Sequence, residues 1–558
     1  MQPRHARTVR TVVAVLAVLA LAAGCNEAST DAGGPGSTTP DGELVSPLEN
    51  INLVVEDGPG TPGGAIAYGL SAETDGWNPT SSRWASSGQE VAKSIFDTLA
   101  AYDVDGSWQP NLAESLEPND DYSVWTITLR PDVTFHNGNP LTGEAVADVM
   151  NMIKASPLTS QPFEPVESIE ATGPLEVTVT MVETWVNFPY ALTTQIGVVP
   201  DPAWLETGDT REPVGTGAFV FESWEPGRRL TVTKNDSWWR EGLPYLDKVE
   251  FIPFPDELSR SNALQNGELD IMQATTGSQI AKFKDLARST GDFQVVNDPA
   301  GETNEQFVLL NTKQAPLDQL DARRALALAT DAQGYINALG EGQYLPAEGP
   351  FAPSSKWYTP TGYPTYDLEA ARALVEQVKA ANGGEFAVTL SSVPGGASAD
   401  GTQLLQSMWQ DAGIDVTVET IDQAALIATV VAGNFQAVSW AQFDSPHPLG
   451  DSIWWHPEAS APLGEFALNF ARNEDAEIGR LLDGARETTD PAEEIAAYQE
   501  VSKLLAQDIP YIWLYHSQIS IVASTDLVNI VDYELPDGVQ GLPLHGGAHP
   551  LYQVWIQR

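Results

Sequence analysis

Cysteine is almost missing from this chain: Cys25 is the only one in 558 residues. No intrachain disulfide is possible, so the folded state rests on packing. Basic residues are also few. Twenty-eight Lys and Arg stand against 76 Asp and Glu, for a formal charge of −48. A surface this acidic repels nucleic-acid phosphates and anionic headgroups, which excludes nucleic acid as a partner. The apolar run near the start, Thr11 to Ala23, has thirteen residues, whereas a bilayer-spanning helix takes about 20. No GxSxG or HExxH motif is present, and a cysteine nucleophile is lost if Cys25 is modified. Gly215-Thr216-Gly217 lacks the third glycine and the lysine of a phosphate loop. These absences leave catalysis unsupported and imply no cofactor.

What is present begins with a leader. Arg4, Arg7 and Arg10 precede the apolar run, and Leu21-Ala22-Ala23-Gly24-Cys25 follows its core. The segment resembles a bacterial lipoprotein signal, with Ala22 where that pattern usually has leucine. Residues 1–24 are thus expected to be a signal peptide and Cys25 the lipidation site. Plain secretion with an incidental thiol is the alternative. The mature chain would have 534 residues, enough for two or three domains. Residues 25–60 are rich in Gly, Pro, Ser, Thr and Asp and read as a flexible tether. The chain is expected on the extracytoplasmic face of the cell membrane, held by lipid.

The remainder alternates strand and helix patterns. Trp125, Ile127 and Leu129 alternate with threonines, and Val133 and Phe135 follow the Arg130-Pro131-Asp132 break, predicting neighbouring strands. Thr142 can cap a helix with Val146, Val149, Met150 and Ile153 on one face. Asp490-Pro491 opens another helix that runs to about Asp508. Between Phe386 and Ile421 a strand, a helix with Leu404, Leu405, Met408 and Trp409, and a second strand read as a βαβ unit. The class is α/β with at least two lobes.

Five segments, in order, are similar to one family. They are Gly76-Trp77-Asn78-Pro79, Pro110 to Ser115, Leu129 to Gly138 with its Arg130 and His136-Asn137-Gly138, Val214 to Phe219, and Asn311-Thr312 followed by Arg323-Arg324-Ala325-Leu326. Together they resemble the dipeptide- and oligopeptide-binding proteins of ABC importers, extracellular solute-binding family 5. The resemblance implies a type II periplasmic-binding-protein fold: two α/β lobes joined by a hinge, plus a subdomain inserted in the first. On this sequence lobe I would take residues 61–300 and 521–558, with the insertion at about 109–211, and lobe II 301–520. It also implies a monomer that captures short peptides and delivers them to a permease and an ATPase.

In that family a carboxylate pairs with the α-ammonium of the peptide and aromatic rings line the walls, while main-chain pairing supplies affinity. The matching segment here runs from Trp440 through Ala441, Gln442, Phe443 and Asp444 to Pro448. Trp440 carries over. The ammonium-binding acid falls on Phe443, with Asp444 one residue later, and the second acid position is His447. Asp444 either takes the role or forms a turn before Pro446. Trp77, Ser86, Ser87 and Tyr515 complete the expected ligand-binding set. The departure at Phe443 keeps open a non-peptide solute, such as a sugar or metal chelate, in the same fold. His447, Asp451, His456 and Glu458 lie close in sequence, which raises a metal site or an extracellular hydrolase, but no ligand-type spacing organises them. A lobe repurposed for sensing or envelope assembly is a further alternative.

Overall fold

A computed structural model describes residues 49–558 apart from 157–158, 161–162, 164, 298–303, 341, 395, 443–446, 518 and 558. Cys25 and the leader lie outside the described residues.

Two large sheets organise the chain. A seven-stranded sheet runs in the order Phe293–Val296, Ser520–Ser524, Ile271–Ala274, Ala65–Leu70, Lys248–Pro253, Arg229–Lys234, Phe219–Glu225. At its centre Ala65–Leu70 pairs in parallel with both neighbours. That strand is near-continuously buried from Ile66 to Leu70, as a strand covered on both faces should be. A six-stranded sheet runs Leu345–Pro346, Tyr511–Ser517, Asn304–Leu310, Ala437–Gln442, Ala387–Ser392, Asp415–Thr420. Each sheet has its own core. Trp77, Phe219 and Phe251 belong to the first, and Phe307, Trp357 and Trp409 to the second.

The expected βαβ unit is present. Ala387–Ser392 and Asp415–Thr420 pair in parallel in register, joined by the helix Gly396–Asp411. The helices foreseen at Thr142 and Asp490 form as Gly143–Ala155 and Pro491–Asp508. Thr142 Oγ1 accepts from Ala145 N at 3.1 Å, and Asp490 Oδ1 from Ala492 N at 2.9 Å. Each bond satisfies an amide that the helix itself cannot. A smaller four-stranded antiparallel sheet, Ala113–Pro118, Val124–Leu129, Glu176–Met181 and Val166–Gly173, lies within the sequence span of the first large sheet and shares its core.

One predicted strand does not form. Val133 and Phe135 are buried, but they sit in a loop tied by a single bridge between Thr134 and Pro140. Asp132 has φ 61° and Gly138 φ 87°, left-handed values that break an extended run. The loop seals an end of the core instead of extending a sheet. His136 N donates to Gly215 O at 2.8 Å, and the Gly215-Thr216-Gly217 turn packs on the end of the helix Ser86–Ile95. A Cβ on Gly215 would stand 2.1 Å from Ile95 O, so the glycine serves close backbone approach.

The chain passes between the large sheets twice. It leaves the seven-stranded sheet after Val296 and enters the other at Asn304, then leaves at Ser517 and returns at Ser520. This is the two-lobed, hinged α/β architecture of a type II periplasmic binding protein, with an added subdomain in the first lobe.

Candidate functional site

On the first lobe the expected residues Trp77 and Ser87 lie by the carboxyl ends of Ala65–Leu70 and Lys248–Pro253, the side on which open α/β sheets commonly bind ligands. Trp77 and Ser87 line one pocket there, with Leu70, Val91, Trp224 and Phe251. Ser86 opens the helix Ser86–Ile95, and Ser87 follows it into a buried polar knot. Ser87 Oγ donates to Gln273 Oε1 at 2.6 Å, lies 3.0 Å from Ser71 Oγ and accepts from Ala72 N at 3.2 Å. Gln273 in turn donates to Gly547 O at 3.1 Å. Each donor and acceptor in the knot answers another, as burial requires.

Trp77 is 2% exposed, and its N–H on the main chain reaches Thr210 O at 2.8 Å. Its ring meets Trp224 edge to face, with centroids 5.6 Å apart. Trp224 is itself held, because Glu73 accepts from its Nε1 at 2.8 Å and from Gly227 N at 2.7 Å. Trp77 Nε1 is buried without a hydrogen-bond partner. Gln273, Glu73 and Trp224 escaped sequence reading. Gln273 and Trp224 arrive from strands far along the chain, while Glu73 sits in the loop just before Trp77, where nothing local marks it.

On the second lobe Trp440, Ala441 and Gln442 end the strand Ala437–Gln442, and Tyr515 lies near the end of Tyr511–Ser517. Both strands flank Asn304–Leu310. Trp440 stands opposite Phe307, whereas Ala441 and Tyr515 both stand opposite Gln306. The rings therefore keep different company. Trp440 is half-buried edge-on to Phe470, with centroids 5.7 Å apart. Tyr515 stacks on Tyr344 at 4.3 Å and 8°, and on Tyr335 at 6.0 Å and 29°. Burial and the neighbouring phenols push the Tyr515 hydroxyl above its ordinary range, and burial pushes that of Tyr335 to about 12. All three stay neutral at physiological pH, as a stacked aromatic wall demands. Phe443 and Asp444 lie outside the described residues, so the ammonium-binding position stays an expectation.

Among the described residues the lobes meet in two regions. Beside the crossings, Tyr344 Oη accepts from Gly277 N at 3.1 Å, and Lys284 Nζ donates to Gln343 Oε1 at 3.1 Å. Elsewhere the segment after the four-stranded sheet meets the second lobe. Val186 N donates to Arg486 O at 2.9 Å, Asn187 Nδ2 to Ala485 O at 3.1 Å and to Glu494, and Arg486 pairs with Glu183 at 2.8 Å. His447 belongs to this contact. Its ring stacks on Tyr190 at 3.9 Å, and its Nε2 is 2.9 Å from Glu494 Oε1. Burial lowers the His447 pKa, with Glu494 opposing. His456 instead faces Asp483 at 3.4 Å. Among the described residues no three His, Cys, Asp or Glu side chains converge as a metal site would need.

Residues 107–460 match the family model described as "Bacterial extracellular solute-binding proteins, family 5 Middle". The chain belongs to this family.

Its members are solute-binding proteins of ABC importers and work outside the cytoplasm. Among curated relatives, the glutathione-binding protein GsiB of Pectobacterium atrosepticum is 28% identical over 465 residues, covering 80% of this chain and 88% of that protein. Among solved structures, AgaA from A. tumefacien R10, in complex with agropinic acid, superposes with a TM-score of 0.75 at 24% identity, over 89% of this chain and 99% of that one. DppA from Helicobacter pylori, in complex with the peptide STSA, gives 0.76 at 20% identity, over 89% and 99%. At these identities the superpositions establish the fold alone. Among the described residues no helix is long and apolar enough to cross a membrane.

Proposed function

We propose that this family 5 protein is a lipid-anchored receptor that closes around short peptides and presents them to its permease and ATPase. The observation that carries the reading is the pairing of two lobes across two short crossings, with aromatic and hydrogen-bonding residues on each side. Trp77 and Ser87 stand on the first lobe, and Trp440, Ala441 and Tyr515 on the second. A peptide held between such faces gains main-chain bonds from strand ends and contact from rings, which gives affinity with little demand on side-chain identity. Two relatives with a glutathione-binding name and a bound peptide support the peptide class. The leader motif ending at Cys25 supports the anchor.

The test is mass spectrometry of solutes released by denaturing protein purified from its native cell. Short peptides, or peptides that raise the unfolding temperature by preferential binding to the folded form, are the expected result. Release of sugars or metal chelates alone would remove the peptide assignment. A second reading, a non-peptide solute, is favoured by Phe443 at the expected ammonium position and by the agropinic acid complex of a protein with this fold. Asp444→Asn separates the two: it weakens binding of a peptide with a free N-terminus and leaves a solute without an amine unchanged.

A further inference from the structure

Beside the crossings the two lobes come together backbone against backbone. The contact joins the helix Gly277–Thr290 of the first lobe to the turn after the helix Ala332–Leu339 of the second. Neither Gly277 nor Gly340 has a left-handed backbone, so conformation does not call for glycine at either position. Space does. A Cβ on Gly277 would stand 2.2 Å from Gly340 O, and one on Gly340 would stand 2.4 Å from Tyr344 Cδ2. Each lobe gives up a side chain at this one point, although alanine in place of glycine ordinarily favours a helix.

Tyr344 lies against Gly340 and reaches across. Its hydroxyl accepts from Gly277 N at 3.1 Å. That amide is the first of its helix, and among the described residues Thr276 in front of it gives no side-chain cap. An acceptor for this helix end therefore comes from the opposite lobe. Two turns further along the same helix face, Lys284 donates to Gln343 Oε1 at 3.1 Å. Neighbouring residues of one lobe thus follow a single helix face of the other.

The same ring reaches the expected cargo wall. Tyr344 stacks on Tyr515 at 4.3 Å and 8°. Strand pairing enforces this meeting, since Leu345 stands opposite His516 and Pro346 opposite Tyr515. Tyr515 lies close to Ser517, where its strand ends and the second crossing begins. One side chain is fixed on its face by a wall residue and at its tip by the other lobe. Turning the ring to suit one contact breaks the other.

We propose that Tyr344 is a positioning residue that ties the Tyr515 wall to the angle between the lobes, with the Gly277–Gly340 contact as pivot. Cargo that orders Tyr515 then selects one lobe angle, and an angle that displaces Tyr344 loosens the wall. This rests on the reading of Tyr515 as part of the solute cleft.

The test measures lobe separation by double electron–electron resonance, on protein freed of solute by refolding from urea. Spin labels are carried by Glu268→Cys and Glu385→Cys in a Cys25→Ser background; both positions are exposed and precede a strand, away from the cargo side. Gly277→Ala should displace the main separation, because its methyl group meets a carbonyl of the other lobe. Tyr344→Phe keeps the stack and loses the cross-lobe bond. The share of molecules at displaced separations should rise by about two- to tenfold, as the loss of one hydrogen bond implies. Tyr515→Leu, whose ring partners Tyr335 and Tyr344 are in its own lobe, should raise that share as well. The double variant should raise it by less than the product of the two single effects.

A separation unchanged in either Gly277→Ala or Tyr344→Phe overturns the pivot. No effect of Tyr515→Leu, or independent effects in the double variant, overturns the coupling to the wall. Urea midpoints identify any variant that fails to fold, and Tyr344→Phe, which differs by one hydroxyl, then decides for Gly277→Ala. Because these distances need no cargo, either failure leaves solute capture standing. Protein that releases no solute and binds none would remove that reading and leave the measured pivot in place.

Discussion

Asn187→Ala is the most informative single change for the closing of the lobes. Asn187 is 6% exposed, and its Nδ2 donates to Ala485 O and to the Glu494 carboxylate, both on the opposite lobe. Truncation leaves a buried carbonyl and a partly buried carboxylate each short of a donor, at a cost of about 1–3 kcal/mol. Because those partners are reached only when the lobes meet, the loss falls on the closed form. Ligand affinity should then drop by about 5- to 150-fold, at 1.4 kcal/mol per tenfold. Asn151→Ala is the control. Its Nδ2 donates to Ala147 O and Ile169 O, within the inserted subdomain, so it loses as many bonds without touching closure. Calorimetric titration of both variants with the peptide found on the native protein, beside urea unfolding, separates the effects. The control should lose stability and keep its affinity. Equal loss of affinity in both variants, or none in Asn187→Ala, would refute the assignment of this contact to closure.

Asp97 predicts a pH dependence. Burial raises its pKa from 3.8 to about 6, opposed by hydrogen bonds from Trp239, Thr216 and Trp238. Between those values the folded chain holds a proton that the unfolded chain has lost, so stability falls as pH rises through about 4 to 6, by roughly 3 kcal/mol in total. Urea midpoints across that window should lose this slope in Asp97→Asn, and an unchanged slope would count against it. Ser87→Ala removes the hydroxyl shared by Gln273, Ser71 and Ala72 N, lowering unfolding free energy by about 1–3 kcal/mol; a change within error would mean that the polar knot is not buried in solution. Cys25→Ser should move the protein from the membrane to the soluble fraction on cell fractionation, and continued membrane retention would argue against lipidation.

Local chemistry was the legible part of the sequence. Thr142 and Asp490 cap helices where their side chains can reach the second or third amide, and the alternation through Ala387–Ser392 and Asp415–Thr420 emerges as a parallel pair. The segment at Val133 and Phe135 misled because burial was read as strand. Apolar alternation marks which side chains go inward, but left-handed Asp132 and Gly138 decide that the backbone curls. The expected site residues divide by the same logic. Trp77 and Ser87 come together because one loop and one helix turn carry them, whereas Trp440 and Tyr515 depend on register across a third strand and end among different rings. His447 stands where the family segment has an acid, yet its partners Tyr190 and Glu494 come from distant elements. No spacing rule foretells such a meeting.

The strands that lead into and out of the two crossings are neighbours. Val296 pairs with Ile521 just before the first, and Asn304 pairs with Ser517 just after it. Each crossing is therefore anchored at both ends by strands that pair with one another. A protease nick in one crossing would leave the halves tied by the other, and a clipped preparation should still grip its guest.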